Sequence, residues 1–106
     1  MDKRKDFRIG KYLISEKNPS FIVAEIGQAH EGSMKKVIRY IDELSKTGVN
    51  AIKFQTHYAE QESSLDEKFR VKIKKFRTRY DYWKSVEFSS SEWLKIKKYC
   101  NRKKII

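Results

Sequence analysis

The chain has 106 residues, 39% apolar and 13% aromatic, enough for one small domain with a packed core. Ile, Leu, Val and Phe supply 26 of the 106 residues, above the level of roughly one fifth that marks disordered chains, so disorder is excluded even at 37% charged residues. The formal net charge of +11 raises a nucleic-acid or membrane partner, but residues 1–20 carry six basic and three acidic side chains, residues 21–60 five of each, and residues 61–106 fourteen and six, so the excess lies on the flanks and the middle is neutral.

The single cysteine, Cys100, excludes an internal disulfide and fits a reducing compartment, where a lone cysteine in a helical pattern is a small buried hydrophobe. Met1 to Gly10 alternates charges without the apolar stretch of a signal peptide. No apolar run approaches the roughly 18 residues that a membrane span requires. A cytoplasmic chain with no membrane partner is the expectation.

Phe7 to Ile14 has short strand character, with Gly10 as a turn or bulge, and a polar loop follows to Pro19. Phe21 to Ile26 (FIVAEI) is a compact apolar run between Pro19 and Gly27, as expected for a strand buried on both faces of a parallel sheet. After the loop GQAHEG, Ser33 is an N-cap candidate, and Met34, Val37, Ile38, Ile41 and Leu44 recur on one face of a helix. Gly48 is placed to end that helix as its C′ residue, and Val49 to Thr56 (VNAIKFQT) predicts a second strand. Residues 21–56 thus predict one strand, helix, strand unit with a right-handed parallel crossover.

His57 to Phe88 shows no β pattern, and a connection of that length in a compact domain is functional, a lid or partly helical. A short helix is predicted over Tyr80 to Val86. Ser89 and Glu92 then form a capping box for a helix whose apolar side includes Trp93, Ile96 and Cys100. Asn101 is expected to end it, and Ile105 and Ile106 read as the start of a third strand. The order predicts an α/β fold with a parallel sheet. Two strands cannot close a sheet, and a (β/α) barrel takes about 250 residues, so the sequence reads as the opening portion of a larger fold.

Side chains alternate across a strand, so Glu25 shares a face with Phe21 and Val23, while Ile22, Ala24 and Ile26 share the other. In the second strand Lys53 and Gln55 oppose Ile52 and Phe54. The apolar sets suit packing against helices. Glu25, Lys53 and Gln55 converge near the carboxyl ends of the strands, where parallel α/β folds place their sites. Burying these groups is costly unless they pair or bind something polar. Two outcomes follow: a buried Glu25–Lys53 ion pair that fixes register, or an anion site in which Lys53 and Gln55 hold a phosphate or carboxylate and Glu25 orients a polar partner.

The loop Gly27 to Ser33 approaches a phosphate-binding P-loop but fails it, because Ser33 and Met34 stand where Lys and Ser or Thr are required. His30 and His57 each follow a strand. Two histidines from adjacent loops are a weak metal signal, and hydrogen bonding or substrate contact is the stronger expectation.

FIVAEIGQAHEGS, a helix, and then GVNAIKFQTH resemble the first βαβ unit of the N-acetylneuraminate (sialic acid) synthase family, and the likeness extends through RYDYWKSVEFSSSEWLKIKKYC. The resemblance implies the N-terminal part of a (β/α)8 TIM barrel, with residues 1–20 as an N-terminal β segment and loop and residues 21–106 as the partial barrel. It implies an enzyme that condenses phosphoenolpyruvate with N-acetylmannosamine or a related N-acetylated amino sugar, releasing phosphate, in a homodimer. On that likeness Lys53 and Gln55 bind phosphoenolpyruvate, Glu25 is catalytic at the reacting centre, and Gln28 and His30 are further substrate-binding candidates. The family's divalent metal, manganese or magnesium, is held by residues outside this sequence, so His30 and His57 are not its ligands. His30-Glu31-Gly32 stands where the family usually has His-Asn-Gly. The isolated chain is expected to be inactive.

Two other functions compete. Lys68, Arg70, Lys72, Lys74, Lys75, Arg77 and Arg79, with Phe69 and Phe76 between them, fit a nucleic-acid-binding module. Open strand edges fit an assembly segment that docks onto a larger protein.

Overall fold

The computed structural model describes residues 5–72 and 75–106. Its first segment folds back on itself. Strands β1 (Phe7–Ile9) and β2 (Tyr12–Ile14) pair antiparallel, with Phe7 opposite Ile14 and Ile9 opposite Tyr12. Gly10, at φ +56, and Lys11 make the two-residue turn that lets so short a segment reverse.

Strand β3 (Val23–Gly27) and strand β4 (Ala51–Phe54) pair parallel, joined by helix α1 (Met34–Ser45). The expected strand, helix, strand unit is present, with shorter strands than the sequence suggests. Ser33 caps α1, its hydroxyl accepting from the Lys36 N–H at 3.3 Å. The helix stops sooner than expected. Lys46 is the C-cap, and Gly48, at φ +84, lies in the turn that follows.

The base of the sheet is tied by one side chain. Asn50 Oδ1 accepts from the Ile22 N–H at 2.7 Å, and the Asn50 N–H donates to the Ile22 carbonyl at 3.0 Å. On the other side of β4, Ile106 donates to the Asn50 carbonyl at 3.2 Å and accepts from the Ile52 N–H at 2.7 Å, the slanted pairing of a parallel ladder. Ile106 therefore stands beside β4 where a third strand was expected. The β1–β2 turn lies against its side chain, at Gly10.

Helices α2 (Ala59–Glu62) and α3 (Arg79–Val86) occupy part of the long connection, and α4 (Ser90–Arg102) follows. The capping box of α4 forms as predicted: the Glu92 N–H donates to Ser89 Oγ at 3.2 Å, and the Ser89 N–H donates to Glu92 Oε2 at 2.7 Å. The helix runs one residue beyond Asn101, and Lys104, at φ 58, turns the chain back toward β4.

α1 and α4 pack side by side on one face of the sheet. Val37 and Ile41 of α1 meet Ile96 and Cys100 of α4, Phe88 and Ile105, with Ile52 and Phe54 of β4 beneath. Cys100 is buried in this core, which pushes its thiol pKa up and leaves it a packing group rather than a nucleophile. At the rim, the Tyr99 hydroxyl donates to Asp42 Oδ1 and Lys103 lies 3.2 Å from the same oxygen, joining the helices. These contacts hold the Asp42 carboxyl below its ordinary pKa, the Tyr99 hydroxyl first among them.

The expectation of a strand buried on both faces is not met. Ile22 and Val23 are 54% and 48% exposed, because β3 pairs along one edge only and its second face carries no helix among the described residues. Ile22, expected against a helix, lies ahead of the strand and faces solvent. The remaining split holds on β4: Ile52 and Phe54 pack on the core, while Lys53 and Gln55 are exposed.

Candidate functional site

Glu25 and Lys53 are direct neighbours across the parallel pair, and Lys53 Nζ lies 3.2 Å from Glu25 Oε2. The ladder then changes register: Gly27, not Ile26, stands opposite Phe54, so β3 carries one extra residue just past Glu25. Gly27, at φ +57, closes this bulge. Its N–H donates to Glu25 Oε1 at 3.0 Å, and its carbonyl accepts from the Gln55 N–H at 3.3 Å. A Cβ on Gly27 would sit 3.2 Å from Gln55 Oε1 and 3.8 Å from Glu25 Oε1. The carboxylate, the ammonium and the amide therefore gather around Gly27 at the carboxyl ends of β3 and β4.

Exposure decides what the ion pair does. The Lys53 side chain is 64% exposed and that of Glu25 49%. Such a pair contributes about 0–1 kcal/mol in water, too little to be a stability device. The two groups are wet, close and weakly held, so an arriving anion can draw Lys53 from Glu25 at small cost. A buried ion pair, one of the two outcomes considered from the sequence, is not what the strands form.

Gln28 and His30 both carry buried polar atoms. Both polar atoms of the Gln28 side chain are buried without a hydrogen-bond partner among the described residues. His30 is 0% exposed. Its ring lies 4.8 Å from that of Phe88, 6.1 Å from Phe54 and 6.5 Å from Trp93, centroid to centroid. Nδ1 accepts from the Gly32 N–H at 3.0 Å, which puts the proton of the neutral ring on Nε2, and Nε2 has no partner among the described residues. The structure thus brings Glu25, Lys53 and Gln55 together and sets His30 in the core behind them.

Burial lowers the His30 pKa. As pH falls below about 6.5, the ordinary histidine value, the unfolded chain takes up a proton that the folded chain resists. Stability is therefore fully present above that value and is lost as pH falls toward the depressed folded value. The urea midpoint is expected to be lower at pH 5.5 than at pH 7.5, and the difference to be smaller in His30→Asn. Asp42, Glu87 and Glu92, whose pKa values are lowered, act in a separate window at more acidic pH.

His57 follows β4 but does not join the cluster. Its ring stacks on Trp83 at 4.2 Å, and Nδ1 lies 2.8 Å from Glu62 Oε1. Glu87 Oε2 accepts from the Ala59 N–H at 3.1 Å and so pins α2 to the end of α3, a contact with no signal in the sequence pattern. Among the described residues no group of three or more His, Cys, Asp or Glu side chains could hold a metal ion. The described residues by themselves do not supply a divalent-cation site.

The two aromatics of the basic cluster contact α3. Phe69 and Phe76 both pack edge-on against Tyr82 of α3, at 6.2 and 5.6 Å. Arg79 pairs with Glu67 at 3.0 Å. Lys74, counted in that cluster, lies outside the described residues. No described helix is long and apolar enough to cross a membrane.

A family profile described as NeuB family matches residues 40–106, which include Lys53 and Gln55 and begin after Glu25. The chain is similar to the spore coat polysaccharide biosynthesis protein SpsE of Bacillus subtilis, 27% identical over 101 residues, 94% of this chain and 27% of that protein. It is similar to the N-acetylneuraminate-9-phosphate synthase of Mus musculus, 28% identical over 89 residues, 81% of this chain and 25% of that protein. It is also similar to a solved N-acetylneuraminic acid (sialic acid) synthetase from Leptospira borgpetersenii serovar Hardjo-bovis in complex with citrate. There the TM-score is 0.72 at 30% identity, over 96% of this chain and 32% of that one. The chain spans about a quarter of the length of the curated relatives it matches. With a family match over more than half of its residues and the same backbone path as a sialic acid synthetase, the chain belongs to the NeuB family.

Proposed function

We propose that the open cluster at the ends of β3 and β4 is the phosphoenolpyruvate-facing part of a sialic-acid-synthase-type active site. The observation that carries this is the exposed Lys53–Glu25 pair at 3.2 Å beside Gln55 and the Gly27 bulge. Names of relatives as N-acetylneuraminate-9-phosphate synthase and sialic acid synthetase support it. So does the order β3, α1, β4, α4 and Ile106, which is that of the opening of a (β/α)8 barrel over residues 21–106.

In this reading Lys53 supplies the positive charge for the phosphate or carboxylate of phosphoenolpyruvate, and Gln55 donates through its side-chain amide. Glu25, released from Lys53, accepts a hydrogen bond from the N-acetylated amino sugar at the reacting centre. The new carbon–carbon bond joins the methylene carbon of phosphoenolpyruvate to the sugar carbonyl carbon, whose oxygen takes a proton. Water adds to the enol carbon, and inorganic phosphate leaves. The manganese or magnesium ion and the homodimer belong to this proposal through family likeness; the roles of Glu25, Lys53 and Gln55 are direct contacts.

Titration of phosphoenolpyruvate into the chain, followed by calorimetry, tests the reading. Lys53→Met is expected to weaken binding about tenfold or more, the loss of one charge-assisted contact of roughly 1.5–3 kcal/mol. Equal affinity of the wild-type and Lys53→Met chains, or no binding by the wild-type chain, overturns it.

A further inference from the structure

The loop between β3 and α1 is held from behind by one imidazole. Phenylalanine would fill the same aromatic box of Phe54, Phe88 and Trp93 without desolvating two ring nitrogens. The histidine there makes one hydrogen bond, from the Gly32 N–H to Nδ1. That bond fixes the loop where the end of α3 meets it, since Gly32 sits against the Ser85 carbonyl too closely for any side chain. Two further contacts run from the loop and the ring to the exposed cluster. The ring of His30 meets Phe54 edge-on, and Phe54 is flanked in sequence by Lys53 and Gln55. At the start of the loop, Gly27 donates to the Glu25 carboxylate and accepts from the Gln55 N–H.

We propose that His30 is a positioning residue, whose Nδ1 bond to Gly32 holds the loop that begins at Gly27 and so sets the geometry of Glu25, Lys53 and Gln55 from the opposite side of the sheet. It touches no ligand itself. The ring neighbours from β4, from the segment before α4 and from α4 are Phe54, Phe88 and Trp93, all uncharged, and only burial acts on its protonation. The inference rests on the cluster being the binding site proposed above, so the test separates the two.

Two variants divide the roles of the ring. His30→Asn keeps an acceptor where Nδ1 stands, and His30→Phe keeps the ring without an acceptor. Amide hydrogen exchange on the chain reads their effect. His30→Phe is expected to speed exchange at Gly27, Gly32 and Gln55 at least tenfold while Ile96 and Cys100 of α4 change less than threefold. His30→Asn is expected to return the three loop and strand amides to within threefold of wild type. Unchanged exchange at Gly27 and Gln55 in His30→Phe overturns the proposal, as does acceleration spread equally over α1 and α4, or failure of His30→Asn to restore. A phosphoenolpyruvate titration runs in parallel, where His30→Phe is expected to weaken binding about tenfold and His30→Asn to recover it. A wild-type chain that does not bind phosphoenolpyruvate defeats the functional reading alone, because the exchange pattern is measured without ligand.

Discussion

Gly32→Ala is expected to cost about 2–6 kcal/mol of folding stability, the sum of backbone strain at positive φ and overpacking. Gly32 has φ +72, and a Cβ built on it would lie 2.0 Å from the Ser85 carbonyl oxygen, a backbone atom that cannot rotate away. Either the β3–α1 loop or the end of α3 must move. Small domains hold only about 5–15 kcal/mol in total, so the variant should be partly unfolded or show a much lower urea midpoint. Gly48→Ala is the matched control: φ is +84, but nothing lies within 4 Å of the added methyl group. It should cost only the left-handed penalty of about 1–2 kcal/mol. Equal losses at the two glycines would show that the contact with Ser85 is not what requires glycine at position 32.

Ile41→Ala should remove about 2–5 kcal/mol, the combined cost of lost burial and a cavity that its neighbours fill only in part. Ile41 is fully buried in the middle of α1, in the cluster that joins Val37 to Ile96 and Cys100 of α4. Alanine is the better helix former, so the loss comes from packing and not from helix propensity. Leu94→Ala in α4 supplies the contrast, since Leu94 is exposed and its truncation should stay within about 0.5 kcal/mol. Thermal and urea unfolding of the two variants distinguish a core that depends on α1 from one that depends on hydrophobicity alone.

Much of this architecture is legible in the sequence because its signals are local. The capping box of Ser89 and Glu92, the N-cap at Ser33 and the α1 stripe from Met34 to Leu44 each depend on residues within a few turns, and each forms. The opposition of Lys53 and Gln55 to Ile52 and Phe54 follows from a period of two and also holds. What the pattern hides is set by contacts far apart in the chain. His30 reads as a residue at the mouth of a site because it follows a strand, yet Phe88 and Trp93 arrive 58 and 63 positions later and enclose it. The bulge at Ile26 is equally hidden, although Gly27 was its one available sign. Exposure of Glu25 and Lys53 depends on what covers their face, which alternation along a strand does not report.

Asn50 gives the two ends of the sheet different tolerances. A single residue spans three backbone segments, through its side chain and N–H to Ile22 and through its carbonyl to Ile106. Asn50→Ala therefore disturbs strand alignment, while Lys53 and Gln55, a few residues further along the chain, can be exchanged without loosening that knot. Side chains at the open end of the sheet can thus change while the alignment of the strands stays under separate control at the base.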